Sequence, residues 1–252
     1  MKQLLPLLFL SILSAQWSGN RATSINPGRK VIGVFSPFRM GINNESELII
    51  NKFILMPNIG IKQDQTMYGN WERARILGIE YPTMGMKWLQ SPLGMELGEP
   101  NMFALISPQF TIPQMVSLYV EWFSTRSLGD NSTLTLRGGF GFSLGGGKLS
   151  DDATIDLPII YPRLSVYYNG YVFKVGGEYH QSFKEHWSYL MDYDMVLMPG
   201  GKGRYAFEHK GLMVWTKSPK FRIYFGYKLI AGEYPFGPQA HLFPALDFQF
   251  GW

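Results

Sequence analysis

Apolar and polar residues alternate with period two along most of this chain, in blocks about ten residues long. In one block Val116, Leu118, Val120 and Trp122 alternate with Ser117, Tyr119 and Glu121. In another, Phe221, Ile223, Phe225, Tyr227 and Leu229 alternate with Arg222, Tyr224, Gly226 and Lys228. A β-strand turns successive side chains to opposite faces, so each block predicts a strand with one apolar and one polar face. The pattern runs to the last residue, where Leu246, Phe248, Phe250 and Trp252 alternate with Asp247, Gln249 and Gly251.

Gly, Pro, Asn and Asp clusters separate the blocks, and no helical period persists beyond a turn or two. The predicted strands are 30–39, 46–62, 72–81, 103–112, 115–126, 132–143, 161–168, 171–181, 187–198, 204–217, 220–231 and 242–252. That sets the count at about 12, within 10 to 14, because 46–62 also reads as two strands broken at Met56-Pro57-Asn58. Asn169-Gly170 has the signature of a two-residue type I′ turn, which would pair Tyr168 with Tyr171, Val166 with Phe173 and Leu164 with Val175. In 204–217 the apolar set is odd at Tyr205 and Phe207 but even at Leu212 and Val214, so a β-bulge is predicted near Lys210-Gly211.

Composition decides which kind of β protein this is. The 252 residues are 46% hydrophobic and 15% aromatic with 28 Gly, and no apolar run reaches the roughly 20 residues of a spanning helix. The opening "MKQLLPLLFLSILSAQ" has Lys2 before an apolar stretch and small residues Ser14 and Ala15 after it, which reads as a signal peptide over 1–15. Residues 16–29 then form an N-terminal extension and 30–252 a single barrel domain. Without Cys there is no disulfide framework, lipidated Cys or thiolate metal site. A net charge of +4 from 23 basic and 19 acidic residues, with no dense basic run, gives no footprint for nucleic acid.

Strands of about 9 to 12 residues match what a tilted strand needs to cross a bilayer. One face is rich in Leu, Val, Ile and Phe. Trp122, Tyr168, Tyr171, Trp187, Tyr205, Trp215 and Trp252 are candidates for aromatic girdles at the membrane interfaces. The other face carries Glu121, Arg137, Arg163, Lys174, Glu178, Asp192, Asp194, Arg204, Glu208, Arg222 and Lys228, the candidate lumen lining. Lipid forbids open sheet edges, so the sheet closes and the last strand pairs with the first. The fold class is therefore all-β: a transmembrane antiparallel up-and-down β-barrel.

A signal peptide with a terminal aromatic strand resembles bacterial outer-membrane β-barrel proteins. The resemblance implies a Gram-negative outer membrane, contact with its lipids, and recognition of Leu246, Phe248, Phe250 and Trp252 by the barrel-assembly machinery. The usual last residue there is Phe; here it is Trp252. A narrower stretch, "RMGINNESELII", is similar to the hairpin of outer-membrane transporters of the phenol meta-pathway type. Gly41, Ile42, Asn43, Asn44, Glu47 and Leu48 occupy matching positions, with Met40 in place of an aromatic and Asn44 in place of Asp.

Three constellations carry other chemistry. His180 and Ser182 lie two apart and share a strand face, resembling the His-x-Ser of outer-membrane lipid A deacylases; a Phe, Phe183, replaces the Asn that follows there. The strand register turns His180 into the lumen, which favours a structural histidine. Asp151, Asp152 and Asp156 lack the alternating spacing of a calcium loop. "RGGFGFSLGGGK" lacks the Gly-Lys-Ser/Thr of a phosphate loop. The connector Pro82–Met102 is long and rich in Met, suited to a lid or an apolar entry. The expectation is a monomeric, non-enzymatic channel or transporter for a small solute, with no cofactor and no metal. A lipid hydrolase or a structural, adhesive barrel is the alternative.

Overall fold

The protein is described by a computed structural model covering residues 17, 20–52, 57–90, 111–145, 149, 159–200, 203–235 and 237–252. Twelve strands form a closed barrel: β1 (Lys30–Gly33), β2 (Phe38–Asn43), β3 (Ser46–Asn51), β4 (Asn58–Tyr68), β5 (Trp71–Glu80), β6 (Val116–Ser127), β7 (Ser132–Leu144), β8 (Tyr171–Lys184), β9 (Trp187–Leu197), β10 (Tyr205–Ser218), β11 (Phe221–Tyr234) and β12 (Gly237–Gly251). Each pairs antiparallel with its sequence neighbours, and β12 closes on β1 through Val31↔Gly251, Ile32↔Phe250 and Gly33↔Gln249. Among the described residues two helices join them: α1 (Thr83–Gln90) before β6 and α2 (Tyr161–Asn169) before β8.

The alternation resolves as an inside-out protein. Leu77, Leu136, Val175, Met191, Leu246 and Phe250 are exposed on the outer wall, while Lys62, Arg137, Glu178, Asp192 and Glu208 are buried within. A water-soluble sandwich buries its apolar face; only a lipid-facing wall makes this arrangement favourable. At one end the connections are short turns, at 44–45, 69–70, 128–131, 185–186 and 219–220. At the other lie the long connections 81–115 and 145–170. These are called below the turn end and the loop end.

The count of twelve agrees with expectation, but two strands are not the ones predicted. Segment 30–39 divides into β1 and β2 across a turn at 34–37, and 46–62 divides into β3 and β4. The predicted strand 103–112 falls almost wholly outside the described residues, and its last two residues, 111 and 112, are not strand.

The predicted hairpin at Asn169-Gly170 is wrong in its first half. Residues 161–169 are the helix α2, and the strand begins at Tyr171. Gly170 does adopt positive φ, at 88°, but as the left-handed residue that ends a helix, its N–H donating to Val166 O at 2.8 Å. A glycine there serves a type I′ turn or a helix end equally well, and Pro162 in the first turn favours the helix. Phe173 accordingly pairs with Phe140 and Leu197, and Val175 with Gly138 and Met195.

The predicted bulge at Lys210-Gly211 is also absent. β10 keeps an unbroken register with β9 from Tyr205 to Trp215, and the irregularity falls between Thr216 and Ser218. Leu212 and Val214 simply follow Glu208 and Lys210 onto the inner face, where Val214 is buried. The inner face is therefore not uniformly polar. Gly211, facing out, lies beneath the Tyr227 ring; a Cβ there would sit 2.7 Å from Tyr227 Cε1.

Candidate functional site: a lumen holding a helix and a strap

The predicted lumen residues converge on one inner wall of β6 to β11. Arg137 Nε donates to Asp194 Oδ1 at 2.8 Å, and its Nη2 donates to Asp192 Oδ1. Lys210 Nζ meets Asp192 Oδ2 at 2.8 Å. Lys174 lies between Glu121 at 3.6 Å and Asp194 at 3.8 Å. Glu208 takes Arg163 at 2.6 Å and Lys228 at 2.7 Å. Charges withdrawn from water persist when each has opposite partners, and six neighbouring strands, β6 to β11, contribute to the network here.

Arg163 reaches this network from α2, not from a strand. Arg222 also faces inward, its guanidinium stacked 4.2 Å from the Trp17 ring. Arg204 does not line the lumen: it precedes β10 at the loop-end rim, with its side chain 75% exposed, and pairs with Glu233 at 2.8 Å.

Of the predicted girdle residues, Tyr168 is misplaced. It is buried on α2, stacked on Tyr161 at 5.3 Å between ring centroids. Tyr171 and Tyr205 open their strands at the loop end, while Trp187 opens β9 at the turn end. Trp215 stands near the turn end of β10, and Trp252 follows β12. Trp122 is exposed at mid-strand, beside the backbone of Gly138. In the terminal strand Leu246 and Phe250 are exposed outward, and Trp252 exchanges two backbone hydrogen bonds with Lys30.

At the loop end α2 packs inside the barrel. Its buried Tyr161, Leu164, Tyr167 and Tyr168 pack against Val196, Met198, Ala206, Ile230 and Tyr234 from the inner faces of β9 to β11 and their rim. Tyr167 Oη donates to Ser117 Oγ at 2.9 Å, which ties the helix to β6. Met86 of α1 joins the same cluster; the predicted connector beyond residue 90 lies outside the described residues.

At the turn end the N-terminal extension lies inside the barrel, a placement its sequence did not reveal. Asn20 Nδ2 donates to Glu178 Oε2 of β8 at 2.9 Å. The Ala22 N–H donates to Thr125 Oγ1 of β6 at 2.8 Å, and Thr23 Oγ1 to Glu72 of β5 at 2.8 Å. Ser24 meets Asp64 of β4 through its hydroxyl at 2.6 Å, and the Ile25 N–H meets Glu47 of β3 at 2.9 Å. The Gly28 N–H donates to Gly41 O of β2 at 2.9 Å. Residues 20–28 thus form a strap that follows the inner wall from strand to strand. Buried Lys62 braces it by donating to Thr23 O at 2.6 Å.

The hairpin that resembles phenol meta-pathway transporters is the strap's seat. Gly41 allows the strap to come close: a Cβ there would lie 2.1 Å from Asn26 O. Glu47 holds the Ile25 N–H on one oxygen and Arg39 at 2.5 Å on the other. Asn43 caps the intervening turn, accepting the Glu45 N–H at 2.9 Å.

His180 and Ser182 do not form a nucleophile–base pair. His180 Nε2 lies 3.0 Å from Ser188 Oγ and Nδ1 lies 3.0 Å from Arg21 Nη2, so both ring nitrogens are engaged elsewhere. Asp151, Asp152 and Asp156 lie outside the described residues, as do residues 1–15 of the predicted signal.

Between strap and helix remains a chamber of about 370 Å³. Asn20 bounds it on the strap side and Pro162, Arg163 and Val166 on the helix side. Its wall mixes Arg39, Glu80, Glu121, Lys174, Asp194 and Glu208 with Ile49, Ile76, Tyr119 and Phe123.

No protein-family model matches the sequence, and no curated protein matches it. Solved structures are similar in fold. The NanC porin, in a rhombohedral crystal form, is 10% identical over 88% of this chain and 96% of that one, with a TM-score of 0.50. The outer-membrane channel DcaP of Acinetobacter baumannii is 8% identical over 94% of this chain and 66% of that one, with a TM-score of 0.40. The likeness to the porin is one of fold: this chain, too, is a closed antiparallel β-barrel.

Proposed function

We propose that this chain is an outer-membrane channel or transporter that admits a small solute to the chamber between strap and helix. The chamber itself carries the reading. A barrel needing only rigidity would fill its core with side chains. This one keeps about 370 Å³ open among charges of both signs and apolar walls. Such a lining suits a solute with both polar and apolar parts, since each buried polar group of the solute needs a partner.

Passage then depends on the strap and the helix. The strap is held by one to three hydrogen bonds per strand, the neutral ones contributing about 0.5–1.5 kcal/mol and those to carboxylates about 1.5–3 kcal/mol, so it can be displaced stepwise. Cleavage of a signal near Ala15 would leave the extension free to enter the barrel from the turn end. Outer-membrane lipids would contact the apolar wall, and the assembly machinery would meet β12.

Single-channel recording of the refolded protein in a planar bilayer tests the reading. Discrete openings against a mostly closed baseline are expected. A folded barrel that never opens, in any salt or at any voltage the bilayer withstands, would overturn it.

A further inference from the structure

The carboxylates of the chamber wall are of two kinds. Glu121 meets Lys174 at 3.6 Å, Asp194 meets Arg137 at 2.8 Å, and Glu208 meets Arg163 at 2.6 Å and Lys228 at 2.7 Å. Glu80, the last residue of β5, also lines the chamber, but the donors that reach it are neutral. The Tyr167 hydroxyl lies 3.4 Å from its Oε1, and the Asn58 side chain donates to it as well. Arg163 acts on Glu80 only from a distance, because its guanidinium is taken by both oxygens of Glu208. Among the described residues Glu80 forms no ion pair, and the undescribed segments nearest to it in the chain, 53–56 and 91–110, contain no Lys, Arg or His. A confined carboxylate without a counter-charge is costly, so a cation that enters the chamber gains what the wall does not supply.

The wall beside Glu80 is shaped for such a cation. Strand pairing sets two rows across the inner face: Asn58, Glu80 and Ser117 in one, and Gly60, Gly78 and Tyr119 in the next. The Tyr119 side chain lies across the two glycines. A Cβ on Gly78 would fall 2.3 Å from Tyr119 Cζ, 2.4 Å from Oη and 2.6 Å from Cε1, and one on Gly60 would fall 2.7 Å from Oη. A point at the ring's edge beside Cζ would be nearer to Oη and Cε1 than to Cζ. Here both are farther, so Gly78 meets the flat of the ring, and the opposite face is turned to the chamber that Tyr119 lines. The phenol is fixed in this pose by donating to Asn58 Oδ1 at 3.3 Å. An aromatic face beside a carboxylate recognises an organic cation, since the negative face of the ring and the full charge act on the same group.

We propose that Glu80 and Tyr119 form a binding site for the ammonium group of a small organic solute. The ammonium rests on the open face of Tyr119 with Glu80 as its counter-charge, and the carbon skeleton runs along Ile49 and Ile76, which line the same chamber. The proposal rests on the chamber's being a solute site, as read above, and adds the charge that the solute carries.

Titration calorimetry of the refolded barrel in detergent micelles tests it, with choline and with the uncharged alcohol in which carbon replaces the nitrogen. Choline is expected to bind saturably and the alcohol about tenfold or more weakly, the difference that a charge-assisted contact makes. Glu80→Gln keeps the shape and removes the charge, so it should weaken choline about tenfold or more and leave the alcohol unaffected. Tyr119→Leu should weaken choline about threefold or more through the lost ring face. Should the glutamine variant not fold, Tyr119→Leu and the uncharged alcohol still decide. Equal binding of choline and the alcohol, or choline binding indifferent to either substitution, overturns the ammonium site. A preference for propionate over choline overturns it too, and assigns the chamber to anions through Arg39 and Lys174. In each of these cases the chamber still takes a solute, and that reading stands. If no probe binds, the ammonium site falls, and the planar-bilayer recordings decide separately whether the chamber reading falls with it.

Discussion

Asn20 of the strap donates to Glu178 of β8 at 2.9 Å, across the lumen from β1, into which the strap leads. The strap's later partners lie on β6, β5, β4, β3 and β2 in turn, so its path retraces the order of the wall. Each residue or two finds one strand, as it must for an extended segment laid across strands roughly 4.8 Å apart. What lies inside the turn end is therefore extended chain along the wall, not a folded plug.

Gly41 is the point at which the strap's seat is most exposed to mutation. In Gly41→Ala the new Cβ would meet Asn26 O at 2.1 Å, and the obstacle is backbone, which has nowhere to turn. The strap is expected to lift from its seat, at a cost of about 1–3 kcal/mol for the overpacked site. Channel openings should become more frequent, and residues 20–28 should become susceptible to protease added from the turn end. Unchanged recordings together with unchanged protease resistance would show that the strap does not limit passage.

Arg137 holds two carboxylates from one strand, Asp192 and Asp194, with Asp192 nearly inaccessible to solvent. Arg137→Ala would leave both with reduced compensation, and removing one member of a buried ion network costs about 3–5 kcal/mol. Lys210 still reaches Asp192, and Lys174 reaches Asp194, so the lower end of that range is expected. Urea unfolding in lipid vesicles, followed by tryptophan fluorescence, measures it. A loss below about 1 kcal/mol would mean that water already screens the network.

How far the sequence could be read depends on whether periodicity was the controlling signal. It was for β6 to β12 apart from the start of the β8 hairpin, because a one-residue slip would expose every charge to lipid. Hence Glu121, Lys174, Asp192, Glu208 and Lys228 all reach the lumen. Periodicity could not separate α2 from a strand, because "PRLSVYYN" satisfies both periods over so short a length. The strap has no periodic signal at all: its hold comes from backbone groups and small side chains meeting Glu47, Asp64 and Thr125. One clue was present in the Gly41 and Glu47 of the hairpin motif, which turn out to face the strap. The division of 30–39 into β1 and β2 was hidden because the segment was read as one strand through the Pro37 turn.

Gly170 ends α2 with φ at 88°, a conformation costly to any residue with a Cβ. Gly170→Ala should destabilise the packing of α2 at the loop end by about 1 kcal/mol or more. The strand that follows keeps its pairing with β7 and β9, so the barrel should still fold. The expected signature is local: faster amide exchange over 161–169 with exchange in β8 unaltered. Equal acceleration in both would mean that α2 and the wall open as one unit.

Lys174 and Arg204 were both expected to line the lumen, and their different surroundings give opposite predictions. Lys174 borders the chamber between Glu121 and Asp194, whereas Arg204 is exposed at the rim against Glu233. Lys174→Glu removes the cation that separates two carboxylates and adds a third, changing the local charge by two units in a confined space. Ions passing there feel that charge within a Debye length of about 10 Å at 0.1 M salt. Reversal potentials across a salt gradient should shift strongly toward cation selectivity, and the shift should shrink at about 1 M salt, where the Debye length is near 3 Å. Arg204→Glu, facing bulk solvent, should leave the reversal potential almost unchanged. If Arg204 proved the stronger determinant, ions would be passing along the rim outside the chamber, and the conduction path would have to be redrawn.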